Sequence, residues 1–153
     1  MKCRCLLMAS IGLLPMCALA RLGEKLPELI DRYGQPVLET TIPSYEFKSG
    51  NLQIIVLLGK SGQTQSTQQG GESVENCSIE EQIRISGGTL SDAALNEILV
   101  TNGIDDGKIV KGATRELRSK KSKDGTRLAE FNMDSISVKM VGLAFKKQNA
   151  TGY

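Results

Sequence analysis

Apolar residues recur at helical spacing within the stretch Leu22–Pro36. The positions i, i+3, i+4 and i+7 of one helix face are all apolar. They are occupied by Leu26, Leu29, Ile30 and Tyr33. Pro27 suits a first turn, where its missing N–H is not needed, while Gly34 and Pro36 favour an end to the helix. The pattern predicts a short helix that leads into a sheet.

A second helix is predicted to begin after Ser91, which is a favourable N-cap residue. Leu90 before the cap and Leu95 inside the helix have the spacing of a hydrophobic staple. Asn102-Gly103 is a typical helix end. The predicted buried stripe consists of Ala94, Leu95, Ile98 and Leu99.

Between the helices, alternation of apolar and polar residues predicts strands. Ser44–Leu58 is predicted to be a hairpin that turns at Ser49-Gly50-Asn51. One apolar face of its second strand consists of Leu52, Ile54, Val56 and Leu58. Because Ile55 and Leu57 make the other face apolar too, this strand is predicted to be central and covered on both sides. Ile79–Ser86 is predicted to be a half-exposed strand.

After the second helix the chain is predicted to be sheet. The predicted strands are Ala113–Ser119, Thr126–Asn132 and Ser135–Lys146, with turns at Lys120–Gly125 and Met133-Asp134. In the last strand the apolar side chains change parity beside Gly142. Such a change is typical of a β-bulge or a sharp bend.

The segment 59–78 is polar, low in complexity and rich in glutamine, serine and glycine. It has too few apolar residues to offset its own ordering entropy. It is therefore predicted to be a disordered loop, although its tract TQSTQQ is a candidate extension of the hairpin edge.

These elements predict an α+β fold in which two short helices pack on one face of an antiparallel sheet. Their order also favours two α-then-meander units, each a helix followed by strands. The turns KSGNL at 48–52 and KDGTRL at 123–128 are similar and fit an internal duplication.

Residues 1–20 have the character of an export signal, with a basic start, an apolar run and a small-x-small cleavage site at 18–20. The apolar run is short for a transmembrane span of about 20 residues. We therefore expect a mature domain at 21–153 that is periplasmic or secreted. A retained membrane anchor and a lipoprotein modified at Cys17 are the alternatives.

Signal removal leaves Cys77 as the one cysteine, so no intrachain disulfide can stabilise the mature domain. Cys77 is interpreted as a plain thiol near a strand start. A site for an intermolecular bond is the alternative.

The charge also changes on signal removal. The signal holds two of the 19 basic residues and none of the 17 acidic residues, so the mature charges balance. Residues 21–102 carry 6 positive and 11 negative side chains, and residues 103–153 carry 11 and 6. Global nucleic-acid binding is disfavoured, whereas a basic face on the second half is compatible with these numbers.

The chain has no histidine, which removes Ser-His-Asp and Cys-His catalysis and the commonest zinc ligand. Glu80 and Glu81 are adjacent in a strand, so they are expected to point to opposite faces. Asp105-Asp106-Gly107 lacks the other positions of a calcium loop. We expect no enzymatic activity, cofactor or metal. An enzyme that uses Glu80, Glu81, Asp105 or Asp106 is the alternative.

One cluster of basic residues stands out, over two predicted strands and their turn. It consists of Arg115, Arg118, Lys120, Lys121, Lys123 and Arg127. Alternation places Arg118 and Lys120 on one face, with Lys121 and Lys123 at the tip. Such a patch suits phosphorylated lipid, an acidic polymer or an acidic protein surface. Protection of an edge strand against aggregation is the alternative explanation, and the lack of aromatic residues disfavours single-stranded nucleic acid.

The runs RLGE and LIDRYGQP within 21–36, followed by YEFKSGNLQIIVLL at 45–58, resemble the start of small uncharacterised secreted bacterial proteins. In fold, a short helix of this kind before an antiparallel hairpin is similar to bacterial envelope domains of the SmpA/OmlA and β-lactamase-inhibitor-protein types. The resemblance covers 21–58 and, loosely, the second helix and the strands around the Asp-Gly turn, and the chain departs from it in the insertion at 59–78. It implies a non-catalytic envelope or secreted domain and transfers no binding residues.

The sequence thus predicts an exported, non-catalytic domain that binds a protein or an envelope component. A carboxylate-using enzyme, or a membrane-tethered assembly or inhibitory protein, is the alternative. We expect no nucleic-acid partner and no transmembrane span after signal cleavage.

Overall fold

The computed structural model describes residues 21–39, 43–67, 70–104 and 117–145. The predicted export signal, the sequence at 105–107 and Arg115 lie outside these residues. Within them the chain forms two helices and ten strands. In chain order these are α1 (Leu26–Tyr33), β1 (Leu38–Glu39), β2 (Ser44–Ser49), β3 (Leu52–Leu58), β4 (Gln63–Thr67), β5 (Gly70–Ser73), β6 (Ser78–Ile85), α2 (Asp92–Thr101), β7 (Arg118–Lys121), β8 (Arg127–Phe131), β9 (Ser135–Met140) and β10 (Leu143–Phe145).

Helix α1 confirms the prediction at both ends. The backbone N–H of Lys25 donates to Glu28 Oε2 over 2.7 Å, so the first turn is stabilised by its own side chain. Leu29 and Tyr33 are buried. Gly34 ends the helix with a φ of 85°, a conformation that glycine adopts without steric cost.

Helix α2 also follows its local signals. Ser91 Oγ accepts a hydrogen bond from the backbone N–H of Ala94 over 3.1 Å, as an N-cap does. The four residues of the predicted stripe are all buried, and Leu90 is buried beside them. The C-cap residue is Asn102.

The main sheet has seven antiparallel strands in the order β1-β2-β3-β6-β9-β8-β7. Strands β2, β3 and β6 follow α1, and strands β7, β8 and β9 follow α2. Each set is a three-stranded meander, and the two meanders join through their last strands, β6 and β9. The predicted α+β class is confirmed, and the order of strands contains the two predicted α-then-meander units.

Both helices pack against the same face of this sheet. Leu29 and Tyr33 of α1 share one buried cluster with Leu95 and Ile98 of α2 and with side chains of five strands. The rings of Tyr33 and Phe47 are 5.4 Å apart between centroids. The other side of the sheet, which we call the open face, carries neither helix. Strand β3 is interior, as predicted. Ile54, Val56 and Leu58 are buried on the helix side, while Ile55 and Leu57 on the open face are half-buried.

The expectation of an unstructured loop at 59–78 is also wrong. Gln63–Thr67 and Gly70–Ser73 pair as a hairpin, and β10 adds to β4 in a second, three-stranded sheet. Gln65 is buried, and its Nε2 donates to the carbonyl of Thr126 over 2.6 Å. Hydrogen bonds to distant parts of the chain therefore stabilise a segment that has little apolar area of its own.

The predicted bend in the last strand is confirmed. Strand β9 ends at Met140, Gly142 adopts a φ of 76°, and the chain continues as β10 in the other sheet. Strand β7 runs to Lys121, so the following turn begins later than predicted.

The first four residues that the structure describes are attached to both halves of the domain. Leu22 is buried, and its N–H donates to Asn102 Oδ1 over 3.0 Å. Ser78 Oγ donates to the carbonyl of Arg21 and accepts from the N–H of Glu24, both over 3.1 Å. The segment 21–24 thus connects the start of β6 to the end of α2.

Gly59 marks a close approach between two backbone segments, where β3 leads into the second sheet. A Cβ atom at this position would lie 2.0 Å from the carbonyl oxygen of Val74. We expect Gly59→Ala to lower the free energy of unfolding by about 2 kcal/mol, because the backbone must shift to relieve this overlap. Gly71→Ala is the matched control, since its nearest neighbour would be 3.6 Å away. Urea unfolding checks both variants, and an equal effect of the two would contradict the close approach.

Helix α1 has eight residues and α2 has ten, whereas a helical membrane span needs about 20. The helices of the described residues are therefore too short to span a bilayer.

Candidate functional site

The predicted basic patch does not form one surface. Arg118 and Lys120 pair with Phe131 and Ala129, so they share the face on which the helices pack. Lys121 directly follows Lys120 in the strand, so its side chain points to the other side of the sheet, the open face. Two of the side chains therefore point together, as predicted, while a third points to the opposite side of the sheet.

The other described members of the patch lie at the turn between β7 and β8. Lys123 is exposed. Arg127 Nη1 donates to the carbonyl of Asn102 over 2.9 Å, which places a cation at the C-terminal end of α2. Arg127 therefore has a structural role, because part of the hydrogen-bonding capacity of its guanidinium is used within the protein.

The turn itself is organised by Asp124. Its carboxylate accepts hydrogen bonds from Ser122 Oγ over 2.6 Å and from the N–H of Thr126 over 3.0 Å. These bonds, with a third from Thr126 Oγ1, lower the pKa of Asp124 to about 2. The turn that presents Lys123 is thus stabilised by an ionised carboxylate.

Glu80 and Glu81 point to opposite sides of β6, as alternation predicts. Glu81 is fully buried in the core and pairs with Val138, while Glu80 is half-buried on the open face and pairs with Lys139. The two carboxylates cannot act on the same bound atom across the sheet.

Glu81 is a buried acid, which the prediction of a half-exposed strand at Ile79–Ser86 did not indicate. Its Oε2 accepts a hydrogen bond from Tyr33 Oη over 3.0 Å, and its Oε1 has no hydrogen-bond partner. Burial raises the pKa of Glu81, while the hydrogen bond from Tyr33 and the charge of Arg32 partly oppose this. In a strand, Glu81 points to the same side as Ile79 and Ile83, and this alternation was the one signal in the sequence that Glu81 is buried.

Glu24 lies in the same region. It forms an ion pair and a hydrogen bond with Arg32 of α1, and its Oε2 is buried without a partner. Burial raises the pKa of Glu24, and the charge of Arg32 opposes the rise. Polar groups at the edge of the apolar core therefore join the segment 21–24, α1 and β6. These groups belong to Glu24, Arg32, Tyr33 and Glu81.

The open face is best described by its cross-strand rows, because directly paired residues project on the same side. A central row runs across β3, β6, β9 and β8 through Ile55, Gln82, Ser137 and Glu130. On one side of it lies the row of Leu57, Glu80, Lys139 and Leu128. On the other side lies the row of Gln53, Arg84 and Ser135. The face is a mixed surface of charges, amides, hydroxyls and a few aliphatic side chains.

A depression of about 340 Å³ lies at the centre of these rows. Its floor includes Ser135 and Ser137 of β9, whose short side chains leave space between the longer side chains of β6 and β8. Leu117, which is 68% exposed, lines it from the start of β7. The depression therefore combines an exposed apolar side chain with hydrogen-bonding and charged groups.

Among the described residues, no group of three or more cysteine, aspartate or glutamate side chains is placed to hold a metal ion. Cys77 has a free thiol, is half-buried and directly precedes β6, as the sequence predicted. The candidate site is thus the open face with its depression.

Comparison of the chain with protein-family models, with curated proteins and with solved structures found no match. The resemblance to small secreted and envelope proteins therefore stays a hypothesis from the sequence.

Proposed function

We propose that this protein is an exported, non-catalytic domain that binds another protein through the open face of its seven-stranded sheet. The observation that carries the proposal is the central depression in a sheet face that neither helix covers. Seven strands spaced about 4.8 Å apart make the open face roughly 30 Å wide, and strands of about six residues make it roughly 20 Å tall. The resulting area of about 600 Å² approaches the about 800 Å² that each partner contributes to a typical protein interface.

The lining of the depression favours a protein partner over a small molecule. Small-molecule sites are predominantly apolar and enclosed. Here the side chains of Gln53, Gln82, Arg84, Glu80 and Glu130 dominate the lining. Charged and amide groups around a few exposed aliphatic side chains are typical of the partly polar interfaces of proteins that also exist unbound.

The proposal of export is tested by the mass of the protein isolated from its natural host. A chain with a C-terminal tag is expected to have a mass that begins at Arg21. A mass that includes residues 1–20, or a lipid on Cys17, would contradict export as a processed, untethered domain.

The docking face is tested by site-specific photo-crosslinking in the same cells. A photoreactive residue at Ser137, in the depression, is expected to give a discrete adduct with one protein, which mass spectrometry identifies. The same residue at Ala93, exposed on α2, is the control and is expected to give none. Equal adducts at both positions, or no adduct at Ser137, would overturn the assignment of the open face.

A further inference from the structure

The depression has a basic end and an acidic end. Arg84 and Glu80 lie on the open side of β6, four residues apart. At about 3.3 Å per residue, their Cα atoms are roughly 13 Å apart. This spacing exceeds the reach of a direct ion pair and leaves both ends accessible to a partner.

The acidic end contains two carboxylates and one ammonium group. Lys139 Nζ donates to Glu130 Oε2 over 2.6 Å, and Glu80 pairs with Lys139 across the sheet. The hydrogen bond to Glu130, assisted by the charge of Glu80, raises the pKa of Lys139 and keeps it protonated. Lys139 thus neutralises Glu130, and Lys121 lies at the far end of the same row. Among the described residues of this end, Glu80 is therefore the carboxylate to which no cation is bonded.

The carboxylate of Glu80 is also positioned by neutral donors. Gln82 Nε2 donates to Glu80 Oε1 over 2.9 Å, and Ser137 Oγ donates to the same oxygen over 3.2 Å. Neither donor cancels the charge. The carboxylate is therefore oriented by its neighbours.

The basic end consists of Arg84. Its direct neighbours across the sheet, Gln53 and Ser135, are neutral. Arg84 is exposed, and the described part of the chain supplies no ion-pair partner for it. A planar guanidinium in this state is suited to bind a carboxylate through two parallel hydrogen bonds.

We propose, on the basis of the docking function above, that the depression binds a partner segment that carries one acidic and one basic side chain roughly 13 Å apart. The acidic side chain binds Arg84, and the basic side chain binds Glu80. The short serines of β9 leave room for the intervening backbone. Charge complementarity at both ends selects the partner and suppresses like-charged segments.

The test uses synthetic, extended peptides rich in threonine and serine. One peptide carries Asp and Lys four residues apart, two carry Asp–Asp or Lys–Lys at the same positions, and one carries Ser–Ser. Titration into the 15N-labelled chain 21–153 at low salt is expected to show at least tenfold tighter binding of the Asp–Lys peptide, with amide shifts centred on β6 and β9. Added salt is expected to weaken it, because exposed charges are screened.

The variant Arg84→Glu makes both ends acidic. We expect it to prefer the Lys–Lys peptide over the Asp–Lys peptide, a reversal that a merely structural role of Arg84 would not produce. Lys123→Glu is the matched control, since it makes the same charge change at an exposed site outside the depression. It is expected to keep the original preference, and the amide spectra show that both variants are folded.

Equal binding of all peptides, shifts away from β6 and β9, or no shift at millimolar peptide would overturn the two-ended site. If Ser137 gives an adduct in cells but the peptide titration gives one of these results, the docking face is supported and its charge selectivity is refuted. Absence of that adduct removes the docking function itself, so the two failures are distinct.

Discussion

A chain that begins at Lys25 is expected to be about 5 kcal/mol less stable than a chain that begins at Arg21. Loss of the buried Leu22 side chain accounts for about 2–3 kcal/mol of this difference. The remainder comes from buried groups of Asn102 and Ser78 that lose their hydrogen bonds, at about 1 kcal/mol each. Because small domains have about 5–15 kcal/mol of stability in total, the shorter chain is expected to be close to unfolding.

Urea unfolding followed by circular dichroism compares the two chains. Leu22→Ala in the longer chain isolates the side-chain contribution and is expected to cost about 2–3 kcal/mol. Arg21→Ala is the matched control, because the side chain of Arg21 is largely exposed while its carbonyl contact is retained. Equal midpoints for chains that begin at Arg21 and Lys25 would refute the structural role of the segment 21–24.

Glu81→Gln is expected to raise the free energy of unfolding by about 3 kcal/mol at pH 8 and to change it by less than about 1 kcal/mol at pH 4. At pH 4 the acid is protonated, so glutamine replaces a group of the same shape and charge. At pH 8 the folded protein must either hold an ionised carboxylate in its core or retain a proton that the unfolded chain has released. Both alternatives cost stability, and glutamine removes both.

The sign of the pH dependence follows from the raised pKa of Glu81. Above the ordinary value of 4.5 the unfolded chain releases this proton while the folded chain retains it, so the unfolded state binds fewer protons. The free energy of unfolding therefore falls as the pH rises from 4.5 through the raised pKa. Glu24 adds a contribution of the same sign, so the Glu81→Gln variant retains a smaller slope.

Thermal or urea unfolding between pH 4 and pH 8 measures this slope. Glu72→Gln, which removes an exposed carboxylate from β5, is the control for the loss of one negative charge. Parallel pH profiles of the wild type and of Glu81→Gln would show that the buried acid does not determine the slope.

The helices were predictable because their signals are local. Ser91, the Leu90–Leu95 staple and the Asn102-Gly103 end all lie within one short stretch, and the same holds for Pro27 and Gly34 around α1. The bend at Gly142 was predictable for a similar reason, since the change of apolar parity and the glycine are adjacent in sequence. Where the structure depends on neighbours in the chain, the sequence pattern was sufficient.

Other features depend on partners that are far away in the sequence. Strand β4 forms beside β10, and Gln65 is buried because the carbonyl groups of Thr126 and Val141 accept hydrogen bonds from its side chain. These distant contacts cannot be inferred from the polar composition of 59–78. The open-face rows likewise required the register of β6 against β9. Arg84 and Glu130 were therefore not identified as site residues, while the basic residues near β7, adjacent in sequence, were.

The junction of the two meanders affects the order in which the domain can form. Strand β6 ends at Ile85, and its partner β9 begins 50 residues later, at Ser135. During synthesis, the first meander emerges with β6 as an unpaired edge until β9 is available. Contacts of such large sequence separation close slowly, and an open edge can pair with other chains meanwhile. The rate of folding, rather than the final stability, then determines how strongly newly made chains aggregate. Slow release of strands β7 to β9 is expected to increase this aggregation.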